Sequence, residues 1–276
     1  MPTYGVGLAV LLVSTLSPAP AVSQVRYDTE VGRDVAAGGL VLTALLLREL
    51  VLAPEDVGPA DFDRTFQGPG FDAVATRAHS PTWRAWTDRL VYGLMASAIG
   101  AAVLPRLTGD GQLGPNATML GETMLLTVGT TEVLKRTFDR HRPYTYNTEL
   151  DDETIALLVG SDSADARASF PSGHSSMAFA SATFTASVLT STYSWPTGVD
   201  AGVWAITLGA ASATAIGRVK AGKHFPSDVL VGALIGGAIG LLVPTCHEVG
   251  SGFCDLNRME SATPAFNVSL VSIPIG

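Results

Sequence analysis

The chain has 276 residues, of which 47% are hydrophobic and only 15% are charged, and its mean hydropathy is +0.31. This composition lies toward the membrane end of the range for folded proteins, and the length is sufficient for one sizeable core. The formal net charge of −8 argues against nucleic acid as a partner and against a polybasic contact with anionic lipid headgroups.

The first 23 residues are predicted to be an export signal. An apolar run from Val6 to Leu16 precedes Pro18, Pro20 and small residues at positions 19, 21 and 23. The run is short for a bilayer span, which favours a signal peptide over a transmembrane helix, although no Lys or Arg precedes it. Residues 24–34 then turn polar, as expected at the start of a mature chain.

Six apolar segments predict an all-α domain over residues 24–245. Each contains many Gly, Ala or Thr residues, which allow helices to approach one another closely. The polar connections 54–89 and 143–170 are expected to be loops with short helices. The predicted helices are Val35–Ala53, Leu90–Leu104, Ala117–Lys135, Ser175–Tyr193, Ala201–Val219 and Asp228–Val243.

Residues 246–276 are predicted to form a C-terminal tail. Cys246 and Cys254 lie in this tail, and the sequence leaves open whether they are bonded or reduced. An alternating stretch from Phe266 to Ile275 is typical of a strand or an ordered extension.

Three short cationic and histidine-bearing segments between residues 135 and 228 predict a pocket for a phosphoryl group. Arg142 and Arg218 can each bind two oxygens with a planar guanidinium, and Lys135 adds a point charge. Ser172 and Gly173 add a hydroxyl and an unhindered backbone N–H at a predicted helix N-terminus, where the helix dipole favours an anion. The segments are Lys135-x6-Arg142-Pro143, Pro171-Ser172-Gly173-His174 and Arg218-x5-His224-x3-Asp228.

Two histidines and one acid are the candidates for the chemistry. Asp228 follows His224 by four residues, so its carboxylate is expected to bond one ring nitrogen and leave the other free to attack phosphorus. His174 lies on a different segment and is expected to protonate the leaving oxygen. This set predicts in-line phosphoryl transfer through a phosphohistidine, followed by hydrolysis. No cofactor or metal is expected, because the sequence has neither a glycine-rich nucleotide loop nor a paired-carboxylate metal motif.

In this order the three segments resemble the signature of the type 2 phosphatidic acid phosphatase and vanadium haloperoxidase superfamily. Two positions depart from it: Gly217 stands where the family usually has a serine, and Ala168-Ser169-Phe170 replaces the Gly-Ser-Tyr of the soluble acid phosphatase branch. The second departure weakens assignment to that branch. The resemblance implies phosphate ligands at Lys135, Arg142 and Arg218, donors at Ser172 and Gly173, the acid at His174, the nucleophile at His224 and its partner at Asp228.

The predicted helix boundaries place all three motifs at one end of an antiparallel six-helix bundle, with the acidic 143–170 connection over the pocket as a lid or a substrate-selecting wall. Embedding in the cell membrane is favoured over a soluble bundle exported to the envelope. If the signal is cleaved and all six helices span, the motifs face the cytoplasm, whereas a retained first segment turns them outward. Lys and Arg in the loops do not decide between these orientations.

The predicted function is a metal-independent phosphomonoesterase acting on a lipid phosphate, such as phosphatidate, phosphatidylglycerol phosphate or an isoprenyl pyrophosphate. The alternatives are a soluble exported acid phosphatase of broad specificity, a vanadium-dependent haloperoxidase, for which the chain is short, and a non-catalytic anion-binding membrane protein. The leaving-group alcohol is left open, because no motif marks the loops and helix faces that recognise it.

Other polar residues have simpler interpretations. His141 is expected to be a solvated loop residue, and Glu132 to pair with Lys135 one helical turn away. His79 and His247 have no acidic or cysteine neighbours at metal-ligand spacing along the chain, so no structural metal site is expected.

Overall fold

The computed structural model describes residues 25–29, 64–109, 112–159 and 163–250, together with Cys254 and scattered positions between 34 and 46. Within the described residues from 64 to 250 there are seven α-helices, two short 3₁₀ helices and no strand. The predicted all-α class is therefore confirmed. The elements are the 3₁₀ helix Ala73–Arg77, α1 Pro81–Thr108, α2 Leu113–Phe138, the 3₁₀ helix Pro143–Tyr146, α3 Asp152–Val159, α4 Ser163–Ala166, α5 Gly173–Thr192, α6 Thr197–Lys220 and α7 Pro226–His247.

Five of the six predicted helices correspond to α1, α2, α5, α6 and α7. The first, Val35–Ala53, lies largely outside the described residues, although the described positions between 34 and 46 are helical. The predicted signal at 1–23 and the Phe266–Ile275 stretch lie outside them entirely. Helix α7 continues to His247, past the predicted domain end at 245, and a disulfide joins Cys246 to Cys254.

Helix α1 begins nine residues earlier than predicted, and this extension reaches the site. Ser80 caps the helix by accepting a hydrogen bond from the Trp83 backbone N–H, and Pro81 occupies the first turn, where a missing N–H has little cost. Polar residues in this extension, including Arg84 and Asp88, interrupt the apolar pattern that marks the helix from Leu90 onward. The added turns place both side chains at the end of the bundle that carries the motifs.

Helix α5 lies at the centre of the bundle and packs against α1, α2, α6 and α7. Its contact with α7 is close because the α7 residues that face it are glycines. A Cβ atom built on Gly236 would lie 1.8 Å from the carbonyl oxygen of Ser176, and one on Gly240 would lie 2.4 Å from that of Ala180. Only glycine permits this backbone approach, which gives the small-residue helix contact expected from the composition.

Three of the described helices, α1, α6 and α7, are long and apolar enough to cross a membrane. Their outward faces carry large hydrophobic side chains that are mostly exposed, among them Leu107, Ile206 and Leu234. Such faces are costly in water and favourable against lipid tails. The length, composition and exposed apolar faces of these helices are those of membrane-spanning helices, as the predicted embedding requires.

Candidate active site

The three motif segments meet at one end of the bundle around a cavity of about 320 Å³. Lys135 comes from the last turn of α2, Arg218 from the last turn of α6, and His174 from the first turn of α5. Six of the eight predicted site residues line the cavity, whereas Ser172 and Asp228 lie behind it. The lining residues are Arg84, Asp88, Tyr92, Lys135, Arg142, Asp165, Gly173, His174, Arg218, Lys223 and His224.

His224 is held as a neutral imidazole that is protonated on Nδ1 and unprotonated on Nε2. Its Nδ1 lies 2.8 Å from the backbone carbonyl oxygen of Ser169, so this nitrogen must carry the proton and donate it. Its Nε2 lies 3.2 Å from Nη1 of Arg142, which donates to it. Complete burial, and then the charges of Arg142 and Arg218, lower the pKa of His224 well below its ordinary value. Nε2 is therefore the nitrogen available for nucleophilic attack.

Asp228 is not a direct hydrogen-bond partner of His224, which differs from the sequence expectation. Its Oδ2 lies 3.8 Å from Nδ1, because the Ser169 carbonyl occupies that position. The carboxylate instead accepts hydrogen bonds from the Ser169 hydroxyl at 2.6 Å, the Phe225 N–H at 2.8 Å and Arg140 at 2.6 Å. It therefore orients the histidine indirectly, by fixing the segment that holds its ring.

Arg140 and Asp72 extend this network and were not predicted. Arg140 donates to Asp72 at 2.8 Å and to the Ser227 hydroxyl at 2.7 Å, and its guanidinium lies 4.0 Å from the centre of the Phe225 ring. Asp72 also accepts from the backbone N–H and the hydroxyl of Ser227 at 2.9 and 2.6 Å. These contacts anchor the start of α7. The first motif does include Arg140, but no pattern in the sequence marks Asp72.

Of the two predicted donors at the start of α5, Gly173 lines the cavity and Ser172 does not. The Ser172 hydroxyl caps α5 by accepting from the Ser175 N–H at 3.3 Å, and its own N–H donates to the Asp228 carbonyl at 3.0 Å. The hydroxyl is buried and serves the helix, and its contact with phosphate stays a prediction. Gly173 does line the cavity, and a Cβ atom there would lie 3.3 Å from Nζ of Lys135.

His174 is paired with an acid that the sequence did not reveal. Its Nε2 lies 2.9 Å from Oδ1 of Asp88, and the same oxygen accepts from Nη1 of Arg218 at 3.1 Å. Burial first, and then the Arg218 charge, lower the pKa of His174 to about 4, while Asp88 opposes this shift. A bound anion would offset the arginines and favour the protonated ring. Asp88 is therefore placed to hold His174 as an acid.

The family model described as the PAP2 superfamily matches residues 116–250, a range that contains all three motifs. Residues 116–250 of this chain belong to the PAP2 superfamily. Two solved structures are similar. Aquifex aeolicus LpxE is 24% identical with a TM-score of 0.43, over 62% of this chain and 90% of that one. A transmembrane PAP2 type phosphatidylglycerolphosphate phosphatase from Bacillus subtilis is 22% identical with a TM-score of 0.41, over 84% of this chain and 99% of that one. No curated protein matches.

The departure from the usual PAP2 motif at Gly217 has a packing reason. A Cβ atom at this position would lie 2.4 Å from Cγ2 of Thr87 on α1, so a serine would require the Thr87 side chain or the helix itself to shift. The hydroxyl of Thr87 lies 3.4 Å from Nη1 of Arg218 and supplies a polar group beside this arginine.

The acidic connection 143–170 reaches the cavity through Asp165 on α4, which is one of the lining residues. This agrees with the predicted position of the connection over the pocket. Nε of Arg142 donates to the Asp165 carbonyl at 2.7 Å, and Nη2 donates to its carboxylate at 2.5 Å. Burial raises the pKa of Asp165, but Arg142, Lys223 and Lys135 together outweigh burial and lower it. Asp165 is thus an anionic partner for a guanidinium that was predicted to bind phosphate.

The PAP2 cavity is strongly positive, although the chain as a whole is acidic. Five cationic and two acidic side chains line it, an excess of three positive charges, whereas the chain carries −8. Lys223 was missed from the sequence: it is buried, its Nζ lies 4.6 Å from the centre of the Tyr144 ring, and burial followed by the Arg142 charge lowers its pKa to about 8. Lys135 pairs with Glu132 at 2.6 Å, as expected, and His141 does not line this cavity.

Proposed function

We propose that the protein is a metal-independent phosphomonoesterase that hydrolyses a lipid phosphate through a phosphohistidine on His224. One observation carries the proposal: the unprotonated Nε2 of a buried, neutral imidazole lies in a cavity with an excess of positive charge. Such a cavity attracts a dianionic phosphoryl group and presents a nucleophile to it.

In the first step, Arg142, Arg218 and Lys135 bind the nonbridging oxygens. These oxygens replace Asp165 and Nε2 of His224 as the partners of Arg142, which frees the lone pair of Nε2. Nε2 of His224 forms a bond to phosphorus while the bond to the leaving oxygen breaks. His174 donates its proton to that oxygen, and the alcohol departs. The Ser169 carbonyl accepts from Nδ1–H throughout and stabilises the positive charge that develops on the ring.

In the second step, water attacks the phosphohistidine in line and the N–P bond breaks. His174, now unprotonated, accepts the proton of this water and returns to its starting form. His224 regains its lone pair, and inorganic phosphate leaves. Asp88 holds the imidazole of His174 in both steps, through the 2.9 Å contact with its Nε2.

The preference for a lipid rests on a groove of about 470 Å³ between α6 and α7. Its lining is mostly apolar and includes Phe179, Ile216 and Leu230. Lys220 and Pro226 lie at its end and flank the loop that carries His224. A substrate with its phosphate in the cavity can therefore place an alkyl chain along helices that are apolar enough for a membrane.

A phosphate-release screen with excess EDTA tests the proposal. Protein purified in detergent is assayed with phosphatidate, phosphatidylglycerol phosphate, an isoprenyl pyrophosphate and soluble phosphomonoesters, beside the His224→Ala variant. We expect release from at least one lipid, none from the variant, and competitive inhibition by vanadate. Release only from soluble esters, with the protein in the aqueous phase, would favour the acid phosphatase, and peroxide-dependent halide oxidation with vanadate would favour the haloperoxidase.

A further inference from the structure

A cluster of one histidine and two carboxylates lies at the end of the bundle opposite the cavity. Nε2 of His247, the last residue of α7, is 3.4 Å from Oδ1 of Asp34 and 3.4 Å from Oε2 of Glu122 on α2. The side chain of His247 is 2% exposed, and those of Asp34 and Glu122 are 14% and 11% exposed. One ligand atom from each residue lies within 4.8 Å of the other two.

The orientation of the imidazole directs a lone pair at the two acids. Nδ1 of His247 lies 2.9 Å from the carbonyl oxygen of Val243, so Nδ1 carries the proton in the neutral ring. Nε2 is buried and has no hydrogen-bond partner among the described residues. A backbone carbonyl that accepts from the distal nitrogen is the usual outer partner of a metal-binding histidine.

We propose that Asp34, Glu122 and His247 bind a divalent transition metal, with Zn²⁺ as the best fit. Tetrahedral zinc with bonds of about 2.0–2.1 Å to nitrogen and oxygen requires ligand atoms about 3.4 Å apart. The two distances from Nε2 match this spacing. Magnesium fits less well, because it prefers an all-oxygen octahedral shell with ligands about 2.9 Å apart. Three protein ligands leave the fourth position for water.

The site would have a structural task. The surrounding backbone contacts join residues 25–29 to the end of α7. The Asp28 N–H donates to the His247 carbonyl at 2.9 Å, and Tyr27 pairs with Glu248 in an isolated antiparallel β-bridge. A metal would add a link to α2 through Glu122. The 22 residues of α7 separate this cluster from the candidate active site by about 30 Å at 1.5 Å per residue. The ion would therefore lie too far from the phosphoryl group to take part in the chemistry.

Metal content and thermal unfolding of the full-length protein in detergent test the site. After removal of metal with a chelator, Zn²⁺ is titrated and the bound metal is measured by mass spectrometry after dialysis. We expect about one Zn²⁺ per chain and a midpoint of unfolding raised by several degrees, because the metal binds the folded state. Glu122→Gln and His247→Gln should lose both effects, whereas His224→Ala, in the catalytic cavity, should retain them.

Failure of wild-type protein to bind Zn²⁺ would overturn the proposal. Retention of stoichiometric Zn²⁺ by both His247→Gln and Glu122→Gln would also overturn it. The wild-type titration remains decisive even if the variants fail to fold. Neither outcome bears on the phosphatase proposal, which is measured by phosphate release in EDTA at a temperature well below unfolding.

Discussion

The two histidines of the cavity differ in the group that holds each ring. His224 donates Nδ1–H to an uncharged carbonyl, that of Ser169, which fixes the tautomer without raising the basicity of the ring strongly. His174 faces a carboxylate, that of Asp88, which favours the protonated form. The uncharged carbonyl therefore suits His224 to act as the nucleophile, and the carboxylate suits His174 to act as the acid.

This difference leads to a prediction with two substrates. His174→Ala should reduce hydrolysis of an alkyl phosphate far more than that of p-nitrophenyl phosphate, because an activated aryl leaving group needs no proton. His224→Ala should reduce turnover of both by several orders of magnitude. The measurement is kcat/KM for both substrates in both variants. Equal losses in the His174 variant would show that this residue positions phosphate and does not act as the acid.

A second prediction at this scale concerns Asp165, which forms an ion pair with Arg142. Asp165→Asn should lower the inhibition constant of vanadate roughly three- to tenfold, because the anion no longer competes with a partly exposed carboxylate. The backbone carbonyl of Asp165 still holds Nε of Arg142 in this variant. Glu153→Gln, an exposed change in the same acidic connection, is the matched control. Weaker vanadate binding in Asp165→Asn would mean that Asp165 orients Arg142 for phosphate.

At the scale of elements, the contact between α5 and α7 positions the two catalytic candidates relative to each other. His174 lies at the start of α5, and His224 immediately precedes α7. The two helices approach closely because α7 has glycine where it meets the α5 backbone. A small change in this contact therefore changes the stability of the bundle and the geometry of the cavity.

Two neighbouring glycines allow a controlled test of that contact. Gly236→Ala should lower the free energy of unfolding by about 1–3 kcal/mol, because its Cβ would overlap the Ser176 carbonyl. Gly237→Ala has no atom within 4 Å of the added Cβ and should be neutral or stabilising by up to about 1 kcal/mol, as expected for alanine in a helix. Denaturation in detergent compares the two. A similar loss in both variants would show that helix packing is not the cause.

At the scale of the whole molecule, α7 connects the catalytic cavity at one end of the bundle to a disulfide at the other. It begins beside the loop of His224 and ends at the disulfide between Cys246 and Cys254. A disulfide is typical of an oxidising compartment. If α7 crosses the membrane, as its length and apolar composition allow, the cavity and the disulfide lie on opposite faces.

Labelling with a membrane-impermeant maleimide tests this arrangement in intact vesicles. Thr82→Cys marks the cavity end, because Thr82 is exposed at the start of α1, and it is made in a chain with Cys246→Ser and Cys254→Ser. Natural Cys246 and Cys254, after reduction, mark the other end. We expect the two ends to react from opposite sides of the membrane. Reaction of both from the same side would instead indicate a soluble exported bundle.

The identity and order of the motif residues were readable from the sequence, because side-chain type and spacing at helix ends are local properties. They determined the all-α class, the meeting of Lys135, His174 and Arg218 at one end, and the family. The partners of these residues were decided by tertiary structure. The carbonyl of Ser169 is a backbone group that any residue carries, and Asp88 and Asp34 lie far along the chain from the histidines they face. The spacing of residues along the chain cannot predict such partners, because only the packing of the helices brings them together.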